Sequence, residues 1–137
     1  MYDPLAGKRP APKPMNFTKP FWEAAKQKKF LLQYDPEAKK YQFNPRAISI
    51  FTGKRNLEWR EASGKGKVYA YTITHRPPAP ITDVEPYIIA TVDLDEGVRM
   101  MVNIVNCRND EIRTDMPVRV TWVAAGDYTY PVFEPDR

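Results

Sequence analysis

The sequence predicts a mostly β chain, with a short N-terminal helix and a small hairpin-rich segment ahead of a five-stranded barrel. Three observations point there. Fourteen prolines and eight tyrosines in 137 residues favour strands and turns over a helix bundle. In the second half, apolar residues alternate with a period of two over several runs. The order of those runs, with a turn-like segment between the third and fourth, is that of a five-stranded OB barrel.

Three regions follow from the pattern: an N-terminal arm over 1–19, a helix with hairpins over 20–61, and the barrel over 62–137. The arm holds Pro4, Pro10, Pro12 and Pro14 and few residues able to pack, so it is expected to be extended or disordered unless a partner orders it. Thr18 can cap a helix that starts near Pro20, where the missing N–H costs nothing. Phe21, Ala24 and Ala25 share one side of that helix. Short β runs at 30–34 and 41–43 flank Asp35-Pro36-Glu37-Ala38, whose Asp and Pro suit the first two positions of a type I turn. A second compact turn, 49–53, precedes a strand at 57–60.

The barrel run begins with a flexible loop, 63–67, and a strand over 68–74. His75-Arg76-Pro77-Pro78 ends that strand, since consecutive prolines cannot continue a ladder. Runs at 87–94 and 98–105 flank the hairpin connection Asp95-Glu96-Gly97. One helical turn is expected at 109–114, a strand at 118–123 and a short last strand at 130–133.

Composition limits the function. No apolar run approaches the roughly 20 residues of a membrane span, and no apolar leader-like core follows the N-terminus. The lone Cys107 allows no internal disulfide and fits a reducing compartment, so a soluble cytoplasmic protein with no membrane partner is expected. Charge is uneven: residues 1–60 carry thirteen Lys and Arg against five Asp and Glu, whereas residues 61–137 carry eight against twelve. A basic front half suits a phosphorylated ligand such as coenzyme A, a nucleic acid or an acidic protein surface, and equally a merely solvated face.

Candidate chemistry is sparse. His75 is the sole histidine, so any nucleophile–base pair would depend on it. Cys107 follows an apolar strand and reads as a small buried hydrophobe. Asp93, Asp95 and Glu96 cluster at a hairpin tip, where turn chemistry explains them. Gly64-Lys65-Gly66-Lys67 resembles a phosphate cradle but lacks the spacing and the following helix of a nucleotide-binding loop. Tyr69 and Tyr71 alternate as base-stacking residues would, although the barrel half is net acidic, which opposes tracking a phosphate backbone. The set holds no catalytic constellation, and no catalytic residue is assigned.

Several segments recur in an order that resembles one family. They are Phe21-Trp22-Glu23, Leu31–Gln33, Phe43-Asn44-Pro45-Arg46, Leu57-Glu58-Trp59 and Gly64–Tyr69, then His75-Arg76-Pro77-Pro78, Leu94–Arg99 and Met116-Pro117-Val118. Over about residues 20–135 the chain is similar to the OB-fold, acyl-CoA-associated proteins formerly known only as a domain of unknown function. The resemblance implies a helix, a rubredoxin-like zinc ribbon and an OB barrel. It further implies an accessory role beside thiolase-like enzymes that make or break carbon–carbon bonds in acyl-CoA substrates, in a heterotetramer.

One departure stands out. Where the family has two Cys-x-x-Cys pairs, this chain has Asp35…Ala38 and Ser49…Thr52. One carboxylate, two hydroxyls and a methyl do not make a zinc site. The ribbon is therefore expected to be metal-free, held by the Asp35-Pro36 turn and by Ile50 and Phe51 filling the second knuckle. Asp115 replaces a common Gly before Met116-Pro117, and Asp tolerates a left-handed backbone. The resemblance implies no cofactor bound by this chain alone, with the coenzyme A thioester as the substrate of the complex. Under it, Arg46, Lys65, Lys67, His75 and Arg76 are candidate contacts for coenzyme A phosphates or the partner, and Phe21, Trp22, Tyr41 and Phe43 candidates for the partner interface. Single-stranded nucleic-acid binding and free acyl-CoA carriage are the alternative functions.

Overall fold

Strand pairing divides the chain into a three-stranded sheet and a closed five-stranded barrel in a computed structural model that describes all residues, 1–137. A 3-10 turn, Asn16–Thr18, leads into helix α1, Lys19–Lys26, with Pro20 in its first turn. Thr18 sits at the N-cap position, but its hydroxyl exchanges hydrogen bonds with the Met15 backbone (2.9 and 3.0 Å) instead of capping a helix amide. The small sheet comprises β1 (Leu31–Asp35), β2 (Lys40–Gln42) and β3 (Glu58–Glu61), antiparallel in the order β2-β1-β3.

The barrel comprises β4 (Lys65–Thr74), β5 (Tyr87–Leu94), β6 (Arg99–Ile104), β7 (Pro117–Ala125) and β8 (Tyr128–Pro135). Their order, β4-β5-β6-β8-β7, closes where Lys65–Lys67 pairs with Pro117–Arg119. Strands β6 and β8 are parallel neighbours at Ile104 and Phe133, and the other pairs are antiparallel, which is the OB arrangement. Alternation turns Ile88, Ala90, Val92 and Leu94 inward from β5 and Met100, Val102 and Ile104 inward from β6. The core runs on without a break into Phe21, Phe30 and Leu32, and the rings of Phe30 and Phe133 meet edge to face at 6.1 Å.

Five expectations need correction. The arm docks on the chain itself. Leu5 is buried, Arg9 grips the Asp3 carboxylate through two contacts (2.6 and 3.0 Å), and the Tyr2 amide donates to the Asn106 side-chain oxygen (2.7 Å) while the Asn106 amide donates to the Tyr2 carbonyl (2.8 Å). The supposed flexible loop contributes Lys65–Lys67 to β4, because barrel closure needs that stretch as ladder. The segment 109–114 forms turns without a helix, joined by the Glu111 amide to the Arg108 carbonyl. The last strand extends to eight residues because β7 pairs with it along its whole length. Finally, Ile50 and Phe51 point outward (56% and 41% exposed), since hydrogen bonds already fill the space between the knuckles. The left-handed backbone expected at Asp115 is present, with φ 67°.

Candidate functional site

The four positions at which the family resemblance implies cysteine pairs, Asp35, Ala38, Ser49 and Thr52, do converge, around a carboxylate. Asp35 is fully buried, and its Oδ1 accepts from the amides of Glu37 and Ala38 (2.8 and 3.0 Å) and from the Asn56 side chain (3.1 Å). Its Oδ2 accepts from the hydroxyls of Ser49 and Thr52. The Ser49 hydroxyl in turn accepts from the amides of Phe51 and Thr52, so the carboxylate organises both knuckles. The Ser49 hydroxyl above all, with the Ala38 amide, the Thr52 hydroxyl and the Glu37 amide, holds the Asp35 carboxyl far below its ordinary range, although burial alone would raise it. Both oxygens are committed to donors, and no thiolate or imidazole stands beside them. This donor set does not fit a structural zinc.

Two buried glutamines, Gln33 and Gln42, fix the loop between the knuckles. Gln33 holds the backbone of Arg46 at both its N–H (2.8 Å) and its carbonyl (2.7 Å). Gln42 donates to Gln33 and to the Ile48 carbonyl and accepts from the Ile50 amide. These residues and Asn56 escape sequence reading as functional polar groups. The signal that could have found them is polar side chains at the inward positions of β1 and β2, where an apolar residue is expected.

An aromatic-lined concavity lies where helix, ribbon and barrel meet. Thr18, Phe21 and Trp22 form one wall, Phe43, Asn44 and Pro45 the second, and Met100, Met101, Tyr130 and Pro131 the third, enclosing about 260 Å³. Trp22 meets Phe21 edge-on at 5.1 Å and packs against Tyr130 at 5.5 Å. Three of the four residues expected at a partner interface thus line one cleft. Phe21 needs correction as a surface residue: it is 5% exposed and belongs to the core, between Trp22, Phe30 and Phe43. Tyr41 lies apart from them, its ring against Tyr34 at 4.8 Å.

The basic candidates separate. Arg46 shares a smaller groove of about 200 Å³ with Arg55, Gln33, Phe17 and Trp59. Lys65 and Lys67 start β4, whereas His75 and Arg76 follow its end, roughly 25 Å away along the strand. The five therefore do not form one site. The Gly64–Lys67 cradle is also corrected: Gly64 O and Lys65 O accept from Val120 N and Asp95 N. A Cβ on Gly64 would strike Val120, and one on Gly66 would strike the Asp93 carbonyl, so close strand packing explains both glycines.

The remaining candidates read structurally. Cys107 is buried and its thiol donates to the Arg108 carbonyl at 3.4 Å; burial first, then the charge of Glu111, pushes its pKa up, which disfavours the reactive thiolate. Asp93 makes a two-point contact with Arg99 (2.6 and 3.1 Å), whose guanidinium lies 3.5 Å above the Tyr69 ring. Tyr69 and Tyr71 do not share a face. A bulge between Val68 and Ala70 sets Tyr71 opposite the buried Ala90, while Tyr69, with Arg99 on its ring, lies on the outer side.

Comparison with known proteins fits this geometry. The family model for the C-terminal OB-fold domain of ChsH2 matches residues 59–123. A probable enoyl-CoA hydratase alpha subunit of Thermomonospora curvata is 37% identical over 129 residues, covering 93% of this chain and 40% of that protein. The chain thus spans well under half the length of that relative. A DUF35 domain-containing scaffold protein of Pyrococcus furiosus is 32% identical over 108 residues, covering 79% of each chain. Among solved structures, a chain of the Ltp2-ChsH2(DUF35) aldolase superposes with TM-score 0.82 at 34% identity, over 93% of this chain and 100% of that one. No helix here is long and apolar enough to cross a membrane. The shared helix, three-stranded ribbon and OB barrel, together with these identities, make this chain a member of the DUF35 family.

Proposed function

We propose that the chain is a non-catalytic accessory subunit of a thiolase-like enzyme acting on acyl-CoA thioesters. It helps to form and stabilise the partner's acyl-CoA site, and the partner supplies the catalytic residues. The observation that carries this reading is the match, at 34% identity and TM-score 0.82, to the whole DUF35 chain of an aldolase assembled from two proteins. The hydratase alpha subunits of Thermomonospora curvata and Mycobacterium tuberculosis, 37% and 36% identical over the matched stretches, place related domains in other acyl-CoA enzymes. Accessory status also agrees with a buried thiol and an exposed His75 at a strand end, neither beside an activating partner. In this reading a heterotetramer of two copies of each chain works in the cytoplasm, and the coenzyme A thioester is the substrate of the complex.

Co-expression with the thiolase-like proteins of the same source tests it. Co-purification of one of them, with acyl-CoA cleavage or acyl transfer that neither chain performs alone, is the expected result. Failure of this chain to bind or activate any of them would overturn the proposal.

A further inference from the structure

The geometry points to the helix–ribbon–barrel cleft as the seat of the acyl end of the substrate, a ring-bearing apolar group whose anionic remainder runs toward Arg46. This deepens the accessory-subunit reading and rests on it for the thioester.

Size selects the occupant. The cleft holds about 260 Å³, and a dry apolar cavity of roughly 150 Å³ already accepts benzene. One or two fused rings fit, and a larger group projects through the open side. The walls suit a flat apolar ring. Trp22 and Phe21 stand at 88° to each other, Tyr130 lies 5.5 Å from Trp22, and two methionines complete the boundary. Aromatic edges and thioethers are favourable neighbours for a ring face, and methionine adapts to the shape it meets.

The mouth carries a second sign. Met101 is 73% exposed beside the buried Met100, so a large apolar side chain stands at the mouth mostly uncovered. Gln33 pins the Arg46 backbone, and the lip Asn44-Pro45 leads directly to that arginine and to the groove it shares with Arg55. Two residues of extended chain span only about 7 Å. An anion attached to a ring in the cleft therefore lies within reach of a long arginine side chain.

Calorimetric titration of the purified chain tests this with four probes: 2-naphthylmethanol, 2-naphthoate, 2-naphthoyl-CoA and coenzyme A alone. Naphthoyl-CoA is expected to bind about tenfold or more tightly than coenzyme A, because the ring leaves water. Met101→Trp, at an exposed position, narrows the mouth and removes that advantage. Met101→Glu does the same by placing a charge there, should the tryptophan variant misfold by circular dichroism. Arg46→Ala weakens naphthoate and naphthoyl-CoA about fivefold and leaves naphthylmethanol unchanged. Comparing naphthoate with naphthoyl-CoA shows whether a carboxylate or the coenzyme phosphates supply the anion. Equal affinity for coenzyme A and naphthoyl-CoA, no binding by any naphthyl probe, or insensitivity to both Met101 variants overturns the assignment. A chain that joins and activates a thiolase-like partner but ignores these rings sinks this inference alone. Ring binding by a chain that engages no such partner sinks only the subunit reading.

Discussion

The ribbon and the barrel solve the same problem, a small β structure needing a centre, with opposite materials. The barrel closes on methyl and phenyl groups: Val68, Val92, Val118, Val132 and Phe133 are all fully buried. The ribbon, with three short strands and a narrow interior, closes on the Asp35 carboxylate and the donors of Ser49, Thr52, Asn56 and two backbone amides. An apolar core tolerates the loss of one contact by relaxing. A buried charge does not, because every donor it loses leaves an unpaired polar group. The contrast shows how a small sheet with little apolar interior can be centred on one carboxylate: a hydrogen-bonded hub ties the two turns together.

The largest effect is expected where the two regions meet. Phe133→Ala removes a fully buried ring that also touches Phe30, and a cavity of that kind costs about 3–5 kcal/mol. Denaturant unfolding followed by fluorescence and by far-UV circular dichroism should show both regions destabilised together. Asp35→Ala should lower the melting temperature by roughly 10 °C. Hydrogen exchange should then rise at Ala38, Phe51 and Thr52 while β5 and β6 stay protected. Equal loosening of the barrel would mean the ribbon does not depend on its own centre.

A third test puts in the two cysteine pairs that the family resemblance implies. Asp35→Cys, Ala38→Cys, Ser49→Cys and Thr52→Cys together should create a tetrathiolate zinc site whose ribbon melts on chelation. The natural chain should be indifferent to chelator. Failure of the fourfold variant to bind zinc would show that the four positions are not tetrahedrally disposed.

Acid should separate the regions more gently. The Asp35 carboxyl is held below its ordinary value in the folded chain, so its contribution is fully present above the usual carboxylate range, near pH 4, and is lost as pH falls further. Ribbon amides should therefore lose protection below about pH 4 before those of the barrel. In Asp35→Asn, which has no proton to take up, that acid dependence should vanish.

How much of this was legible in the sequence follows from the same contrast. Period-two alternation is strong in β5 and β6, where one face is buried, and the five-stranded barrel was readable from it, whereas the neighbour order of its strands was not. The Asp35-Pro36 turn was readable from local chemistry. The hub was not, because it depends on Ser49, Thr52 and Asn56 arriving from 14 to 21 residues away. The docking of the arm was hidden for a related reason: Arg9 and Asp3 look like surface charges until tertiary contact places them at 6% and 5% side-chain exposure. Glycines misled as well. Gly64 and Gly66 look like a phosphate loop in one dimension and are a steric requirement of barrel closure in three.

The smallest effect belongs to the outer face of the barrel, and it bounds what charge can do there compared with the ribbon. Asp93 and Arg99 form a two-point ion pair, as well aligned as any in the chain, yet both side chains remain about half exposed, at 46% and 49%. The Arg99 guanidinium, through its hydrogen bonds first and its charge as well, holds the Asp93 carboxyl below its ordinary value, against the burial that would raise it. Solvent screens such a pair, so Arg99→Ala should shift the melting temperature by no more than about 3 °C, and less at 0.5–1 M salt, roughly the regime where the screening length falls to a few ångströms. A larger shift that salt leaves unchanged would assign the effect to the guanidinium stacked on Tyr69. Arg99→Lys would then reproduce the loss, because an ammonium keeps the charge but not the flat face.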